Sequence, residues 1–231
     1  PVTVEDGMVA LDVVHQIQAE QAGDLACRWN CKAGKCGSCS AVINGKPKLL
    51  CKTRVGDLDL SKPVTIEPMQ AFPNIKDLVT DVSWNYRMKE KSKPFKPRAP
   101  DNADGTWDMA QADVERPQEF RKCIECFLCQ DVCHVLRDHG KHDSFVGPRF
   151  MIRIASLEMH PLDTEDRVPA TRDDYGSGHC NITRCCTEVC PEHIGITDNA
   201  IIPMKERVVD RFYDPVAMLI RKLFGRSKAK A

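Results

Sequence analysis

Four cysteines between residues 123 and 133 constrain the fold more than any other feature of the sequence. They follow the spacing Cys-x2-Cys-x2-Cys-x3-Cys and are Cys123, Cys126, Cys129 and Cys133. In proteins that hold two iron–sulfur clusters, three cysteines of such a run bind one cluster and the fourth binds the other. The run is therefore half of a site, and it predicts a second run elsewhere in the chain.

The second run extends from Cys180 to Pro191, and one position of its template is not a cysteine. Cys180, Cys186 and Cys190 match the template, whereas Thr183 occupies the place of the second cysteine. Crossed pairing assigns a 4Fe–4S cluster to Cys123, Cys126, Cys129 and Cys190. It leaves three thiolates for the other cluster, and they are Cys133, Cys180 and Cys186. Because three thiolates leave one cubane corner unheld, we expect 3Fe–4S there, with Cys185, one residue out of register, as a spare.

A third group of cysteines lies in the first third of the chain and has a different spacing. Its members are Cys31, Cys36, Cys39 and Cys51, in the Cys-x4-Cys-x2-Cys…Cys order of a plant-type 2Fe–2S cluster. Two glycines inside the loop, at positions 34 and 37, permit a close approach of the backbone. Cys27 competes with Cys31 but has the wrong spacing, so we interpret Cys27 as a small buried apolar residue. The alternative for all three groups is structural zinc, which does not explain the full spacing.

Secondary-structure patterns around the third group predict a small α+β domain. The predicted elements are a strand at Val2–Glu5, a helix at Ala10–Glu20, strands at Ser40–Ile43 and Lys48–Cys51 joined by an Asn44-Gly45 turn, and a strand at Val64–Glu67. The sequence begins at Pro1 rather than Met. We therefore expect Val2–Glu5 to be the second strand of a hairpin whose first strand precedes the given sequence.

Beyond this domain the sequence contains a segment rich in proline and lysine and then a segment with a helical pattern. Residues 86–116 are rich in proline and lysine, and Arg87–Pro100 alone holds six Lys or Arg and one Glu. Such a segment is predicted to be an extended linker, either following an acidic partner or simply solvated. From Pro117 the pattern is helical. It includes a helix from Pro148 to about Leu157, a loop at Pro169–Gly178 and a helix capped by Thr197 or Asp198.

The end of the chain combines an apolar stripe with positive charge. Asp214-Pro215 interrupts the helical pattern, and apolar residues then recur through Val216–Leu223. From Arg221 onward there are five positive charges and no acid. The pattern favours equally a contact with a membrane anchor or anionic lipid and an ordinary packed terminal helix.

Composition excludes several broad classes. The thirteen cysteines are clustered as metal ligands rather than spread as in small secreted disulfide scaffolds, which favours a reducing compartment. Net charge is zero, which argues against a general nucleic-acid role. No apolar run approaches the roughly 20 residues that span a bilayer, and no signal peptide is visible. Three histidines after the first run, at 134, 139 and 142, are interpreted as surface or hydrogen-bonded residues rather than ligands.

The combination of these motifs resembles the iron–sulfur subunit of succinate dehydrogenase and fumarate reductase along nearly the whole chain. The segments that carry the resemblance are Cys36-Gly37-Ser38-Cys39, Asn44-Gly45-Lys46-Pro47 with Leu50-Cys51, Cys123-Ile-Glu-Cys126, Gly147-Pro148 and Cys180…Cys186-x3-Cys190-Pro191. The resemblance implies an α+β fold with an N-terminal plant-type ferredoxin (β-grasp) domain at 1–85. After the linker at 86–116, it implies an all-α bacterial-ferredoxin-like domain at 117–231 that holds two clusters.

The resemblance also implies a function and partners. In that family the subunit passes electrons from the FAD of a flavoprotein through 2Fe–2S, 4Fe–4S and 3Fe–4S clusters to a quinone beside a membrane anchor. The implied location is the cytoplasmic face of a bacterial plasma membrane or the matrix face of the mitochondrial inner membrane. The alternatives are the fumarate-reducing direction, an electron carrier serving another flavin dehydrogenase, and a zinc-binding interaction module.

The sequence departs from the family at the quinone end. The family commonly follows its third-cluster cysteine with Pro-Ser and a tryptophan, whereas Cys133 is followed by His134 and no tryptophan is nearby. Asn181 stands where a histidine is usual. These differences predict a divergent branch whose membrane anchor handles quinone differently.

Overall fold

The computed structural model describes residues 1–224, which form two compact units. The first unit joins the N-terminal third of the chain to two short segments from the cysteine runs, and consists of Pro1–Tyr86, Cys123–Gly140 and Cys185–His193. The second unit consists of Arg87–Lys122, Lys141–Arg184 and the chain from Ile194 onward.

The regular secondary structure within residues 1–224 is mainly helical, with two small antiparallel sheets. The helices are α1 (Ala10–Glu20), α2 (Ser83–Lys91), α3 (Gln111–Gln118), α4 (Leu128–Asp131), α5 (His134–Arg137), α6 (Pro148–Glu158), α7 (Val168–Asp173), α8 (Cys185–Glu188), α9 (Ile202–Phe212) and α10 (Pro215–Phe224). The strands are β1 (Ser40–Ile43), β2 (Lys46–Leu49), β3 (Ile66–Glu67), β4 (Asn74–Lys76) and β5 (Val79–Thr80), in the sheets β2-β1-β3 and β4-β5.

The first unit is built around a hairpin and one helix. The turn of the hairpin and the bounds of the helix are those that the sequence predicts. Asn44 and Gly45 both have positive φ, 48° and 74°, as the two-residue hairpin turn requires. Helix α1 begins where predicted, and the carboxylate of Asp12 accepts a hydrogen bond from the Val9 amide at 3.0 Å. This bond satisfies one of the amides that a helix start leaves unpaired.

The core of the first unit includes residues from the first cysteine run. Its buried members are Ala10, Leu11, Cys39, Ala41, Ile43, Leu49, Leu50, Cys51, Cys126 and Leu128. Helix α1, strands β1 and β2, and the segment around Cys126 therefore share one apolar interior. Burial of this apolar surface is the main force that attaches the cysteine segment to the sheet.

Three strand predictions in this unit need correction. Val2–Glu5 forms no strand, and within residues 1–224 neither edge of the sheet pairs with it. The second hairpin strand is β2, Lys46–Leu49, rather than Lys48–Cys51, because the two-residue turn places Lys46 directly opposite Ile43. Strand β3 is shorter than Val64–Glu67. Strands β4 and β5 lie in a segment where the sequence predicted no strand.

The second unit is a helical assembly in which α6 packs against the turn before α9. Gly147, with φ 81°, and Pro148 start α6, and proline suits this first turn because its missing amide would be unpaired anyway. The most deeply buried apolar side chains include Phe150, Met151, Ile152, Ile154, Ala155, Ile194, Ile196, Ala200, Ile201 and Met204. The predicted helix from Pro148 to about Leu157 is confirmed as α6.

The proline-rich linker is not extended throughout, contrary to the prediction. Helix α2 runs to Lys91 and α3 starts at Gln111, so helices occupy both ends of residues 86–116. Between them the backbone is fastened to the second unit, since the amide of Arg98 donates to Leu162 O at 2.8 Å and the amide of Thr164 donates to Lys96 O at 2.8 Å. Most side chains from Lys93 to Pro100 are exposed, as a solvated segment requires, while these backbone bonds hold the segment in place.

Two further predictions in the second unit are wrong. The loop predicted at Pro169–Gly178 starts with helix α7, since Pro169 occupies a first turn, where proline is tolerated. The helix predicted to start at Thr197 or Asp198 is preceded by a π-helical turn, Ile196–Ile201, with no side-chain cap. Instead, the carboxylate of Glu119 accepts hydrogen bonds from the Gly195 amide and from Asn199 Nδ2.

Candidate metal centres

The loop that carries the predicted 2Fe–2S ligands directs backbone amides towards the sulfur of Cys31. Cys31 Sγ accepts hydrogen bonds from the amides of Ala33 at 3.4 Å and Lys35 at 3.3 Å. These amides and the neighbouring Cys36 lower the pKa of the exposed Cys31 thiol to about 6. A loop that stabilises a thiolate in this way is suited to holding iron, because the thiolate is the form that binds metal.

The other three cysteines of this group lie close to Cys31 or to each other. The Gly34 amide donates to Cys51 Sγ at 3.2 Å, a geometry that the positive φ of Gly34, 66°, makes accessible. Burial raises the pKa of the Cys39 thiol to about 12, and proximity to Cys51 and Cys36 contributes. The structure therefore brings together all four predicted ligands of the 2Fe–2S site.

Cys27 differs from this group. Its side chain is half-buried and packs against the apolar core, and burial raises the pKa of its thiol. This environment suits a small apolar residue, and the exclusion of Cys27 from the metal site stays a prediction. The contrast with Cys31, whose sulfur accepts two amide hydrogen bonds, separates the two candidates.

The predicted 4Fe–4S ligands are also neighbours, all within the first unit. Burial raises the pKa of the Cys126 thiol to about 12, with contributions from Cys123 and Cys190. Burial likewise raises the pKa of Cys129 well above its usual value, and Cys126, Cys123 and Cys190 add to the effect. Thiolates this deeply buried and this close together would repel one another. They form only when a cation compensates their charge, as bound iron does.

The backbone around Cys126 has an unusual conformation that recurs in the second run. The residues on either side of Cys126 have φ values of 55° and 61°. Those on either side of Thr183 have φ values of 62° and 64°. Left-handed conformations are uncommon for residues other than glycine, and alternating them turns successive amides into an anion-binding concavity. Thr183 is thus flanked by the same backbone pattern as Cys126, and its place as the second ligand position of its run stays a prediction.

The third predicted ligand set is divided between the units. Cys133 and Cys186 are buried in the first unit, where Cys186 influences the thiol of Cys129. Cys180 is half-buried in the second unit, and its carbonyl accepts a hydrogen bond from Lys205 Nζ at 2.6 Å. The grouping of these three cysteines stays a prediction.

Cys185 lies on a different side of its helix from Cys186. Its side chain lines a groove of about 570 Å³ in the first unit, together with Lys52, Arg54 and Glu188, while Cys186 is buried. This placement agrees with the interpretation of Cys185 as a spare. Of the three histidines, His139 is exposed and its ring stands edge-to-face with that of His134, centroids 6.0 Å apart.

Two polar residues near the cysteines were missed by sequence reasoning. The Ser40 hydroxyl donates to Cys126 O at 2.8 Å, a contact between residues 86 positions apart. The buried carboxylate of Asp131 accepts a hydrogen bond from the Ala71 amide at 2.8 Å. No pattern in the sequence predicts either contact, because each depends on how distant segments pack.

The cysteine groups supply the thiolates that iron–sulfur clusters require. Within residues 1–224, no three His, Cys, Asp or Glu side chains converge closely enough to hold a single metal ion. Converging amides, left-handed turns and buried thiols together define an iron–sulfur protein. No helix in the described part of the chain is long and apolar enough to cross a membrane.

Comparisons with known proteins agree with this class. A family model described as "2Fe-2S iron-sulfur cluster binding domain" matches residues 1–87, and one described as "4Fe-4S dicluster domain" matches residues 119–194. The fumarate reductase iron–sulfur subunit of Mycobacterium tuberculosis is 35% identical over 80% of this chain and 74% of its own length. The succinate dehydrogenase iron–sulfur subunit of Bacillus subtilis is 30% identical over 78% and 71%.

A solved structure is similar as well. A chain of the Mycobacterium smegmatis Sdh1 complex in the apo form is 60% identical, has a TM-score of 0.88, and covers 92% of this chain and 89% of its own. The chain belongs to the family of iron–sulfur subunits of succinate dehydrogenases and fumarate reductases, as the motifs predicted. It is an electron-transfer subunit of an oxidoreductase complex of this family.

Proposed function

We propose that this chain carries electrons from the FAD of a flavoprotein subunit through three clusters towards quinone, in a membrane-bound succinate:quinone oxidoreductase. The 2Fe–2S cluster is held by Cys31, Cys36, Cys39 and Cys51. The 4Fe–4S cluster is held by Cys123, Cys126, Cys129 and Cys190. The 3Fe–4S cluster is held by Cys133, Cys180 and Cys186. The clusters supply the redox chemistry, and the chain supplies binding, orientation and burial.

One observation carries this proposal: the predicted 2Fe–2S ligands and the predicted 4Fe–4S ligands contribute to a single apolar core. Cys39 and Cys51 from one group pack in the same buried cluster as Cys126 from the other. A chain that served the two groups separately has no need to bury them together. Close packing of the two cluster loops favours sequential electron transfer, since the rate of transfer falls steeply with distance.

The 3Fe–4S assignment rests on Thr183. The backbone there has the same left-handed pattern as at Cys126, so the ligand position exists but carries a hydroxyl. A hydroxyl is a poor iron ligand beside thiolates, because soft sulfur donors suit these clusters better. The third cluster is therefore expected to lack its fourth iron.

Electron paramagnetic resonance of the anaerobically purified complex tests this assignment. The oxidised wild type should give a 3Fe–4S signal, which should fade in Thr183→Cys as a fourth iron binds. Thr171→Cys, a buried threonine whose hydroxyl donates to Arg167 O, makes the same substitution away from both runs and should keep the signal. Full iron content without the signal in wild type would show that the ligand count at Thr183 is wrong.

Helix α10 is the proposed contact with the membrane anchor. Its apolar side chains are exposed, with Val216 63%, Leu219 56% and Leu223 68% accessible, so they lack the burial of an ordinary packed terminal helix. The positive charges beyond residue 224 lie outside the described residues. Removing residues 221–231 is expected to weaken association with the anchor, more strongly at low salt because salt screens the contribution of the removed charges, and unchanged assembly would reject this role.

The finer fold and location follow the family. We assign residues 1–85 to a β-grasp ferredoxin domain, 86–116 to a connecting segment and 117–231 to a helical two-cluster domain. The location is peripheral, at the cytoplasmic face of a bacterial plasma membrane or the matrix face of the mitochondrial inner membrane. The same cysteines serve succinate oxidation or fumarate reduction, because the substrate binds another subunit.

A further inference from the structure

The two cluster loops of the first unit touch through their backbones at Gly37. A Cβ atom added to Gly37 would lie 2.7 Å from Cys126 Cα, 2.8 Å from Cys126 N and 2.8 Å from Ile124 O. All three are backbone atoms, which cannot move aside as a flexible side chain can. Gly37 also has φ 68°, a conformation that side chains disfavour. Only glycine permits this close approach without displacing one loop.

The Ser40 hydroxyl reinforces the same contact. It is buried, and its one proton lies between Cys126 O at 2.8 Å and Gly37 O at 3.2 Å, with Cys126 O as the nearer acceptor, so one group bridges both loops. Ser40 directly follows the predicted ligand Cys39 and starts strand β1, whose backbone is fixed by the sheet. The bridge therefore ties Cys126 to a rigid element rather than to a mobile turn.

A second contact links the loops at another point. Lys35 Nζ lies 3.7 Å from Glu192 Oε1, two residues beyond the predicted ligand Cys190. The lysine is largely exposed, so this ion pair contributes little energy. It nevertheless shows that the 2Fe–2S loop approaches both halves of the 4Fe–4S ligand set.

We propose that Gly37 and Ser40 are positioning residues that fix the separation between the 2Fe–2S and 4Fe–4S clusters and so set the rate of electron transfer between them. The inference rests on the cluster assignments of the proposed function. In the step concerned, one electron leaves the cluster held by Cys36 and Cys39 and arrives at the cluster held by Cys126. The first is oxidised by one electron, the second is reduced by one, and no proton or bond changes.

The decisive variant is Ser40→Ala in the intact complex. Its matched control is Thr53→Val, which removes another buried hydroxyl that donates to a backbone carbonyl, Leu49 O at 2.9 Å, in the same unit but away from Cys126. Both variants should retain full iron and sulfide. Ser40→Ala alone should weaken the magnetic interaction between the two reduced clusters, seen as slower spin relaxation, and should slow electron transfer between them several-fold.

Gly37→Ala should have the larger effect, because its Cβ forces the loops apart. If Gly37→Ala fails to assemble, Ser40→Ala still decides. Spin relaxation and transfer rates that are equal in Ser40→Ala and Thr53→Val would overturn the inference. Absence of either cluster from the wild-type complex would instead reject the proposed function, so the two failures are distinguishable.

Discussion

Arg167 is the residue whose loss should most disturb the second unit. Its side chain is fully buried, and its guanidinium forms an ion pair with Asp163 at 2.9 Å, which is equally buried. It also donates to Lys93 O at 3.1 Å and Pro94 O at 2.6 Å. One side chain thus neutralises a buried carboxylate and fastens the basic connecting segment.

The expected magnitude follows from what Arg167→Met would leave behind. Removing one partner of a buried ion pair costs about 3–5 kcal/mol, because the other charge stays buried without compensation. The carbonyls of Lys93 and Pro94 lose charged donors as well, so the upper part of that range applies. Since whole domains are stable by only about 5–15 kcal/mol, the variant loses a large share of its stability.

Urea unfolding and limited trypsin digestion, both anaerobic, measure the effect. Arg167→Met should unfold at much lower urea and should be cleaved after Arg98, since Lys93 and Lys96 each precede a proline, which blocks trypsin. The control is Arg172→Met, which removes an exposed pair with Asp173 and a contact over a phenyl ring, and should cost about 1 kcal/mol or less. Equal losses in the two variants, with the connecting segment still protected, would refute the reasoning.

Two other predictions concern the first unit. Cys27→Ser and Cys185→Ser should keep the full iron content, whereas Cys31→Ser and Cys186→Ser should each lose a cluster; an iron assay that found no difference within either pair would contradict this. Burial and a nearby lysine lower the pKa of His15, so the unfolded chain takes up a proton at a higher pH than the folded chain does. Stability should therefore rise with pH across the range just below about 6.5, and His15→Gln should flatten that dependence in urea titrations.

The cysteine groups were predictable from sequence because their ligands are mostly local. Spacing within Cys31–Cys39 and within Cys123–Cys129 determines which sulfurs converge. In the structure the cysteines of each group are neighbours. Helix α1 and the hairpin turn were predictable for the same reason, since an apolar period and an Asn-Gly pair act over a few residues.

Contacts between distant segments were not predictable in this way. The connecting segment was judged by its charge, yet its backbone carbonyls are bound by the side chain of Arg167, about seventy positions later. Ser40 gave no signal either, because its partner Cys126 belongs to a different run. In both cases packing determines the partner, and one sequence without its structure does not contain that information in a local pattern.

Comparison of the two cysteine runs distinguishes what the backbone contributes to a cluster site from what the ligand side chain contributes. The residues that flank Cys126 and those that flank Thr183 have left-handed φ values, so this backbone pattern forms whether its central residue is cysteine or threonine. If the cysteine were needed to impose the turn, Thr183 would have relaxed to a common conformation. In the proposed function, Thr183 stands at a ligand position that the backbone provides, and its side chain determines whether a fourth iron is held. A single substitution at Thr183 can then change the iron count without a change of fold.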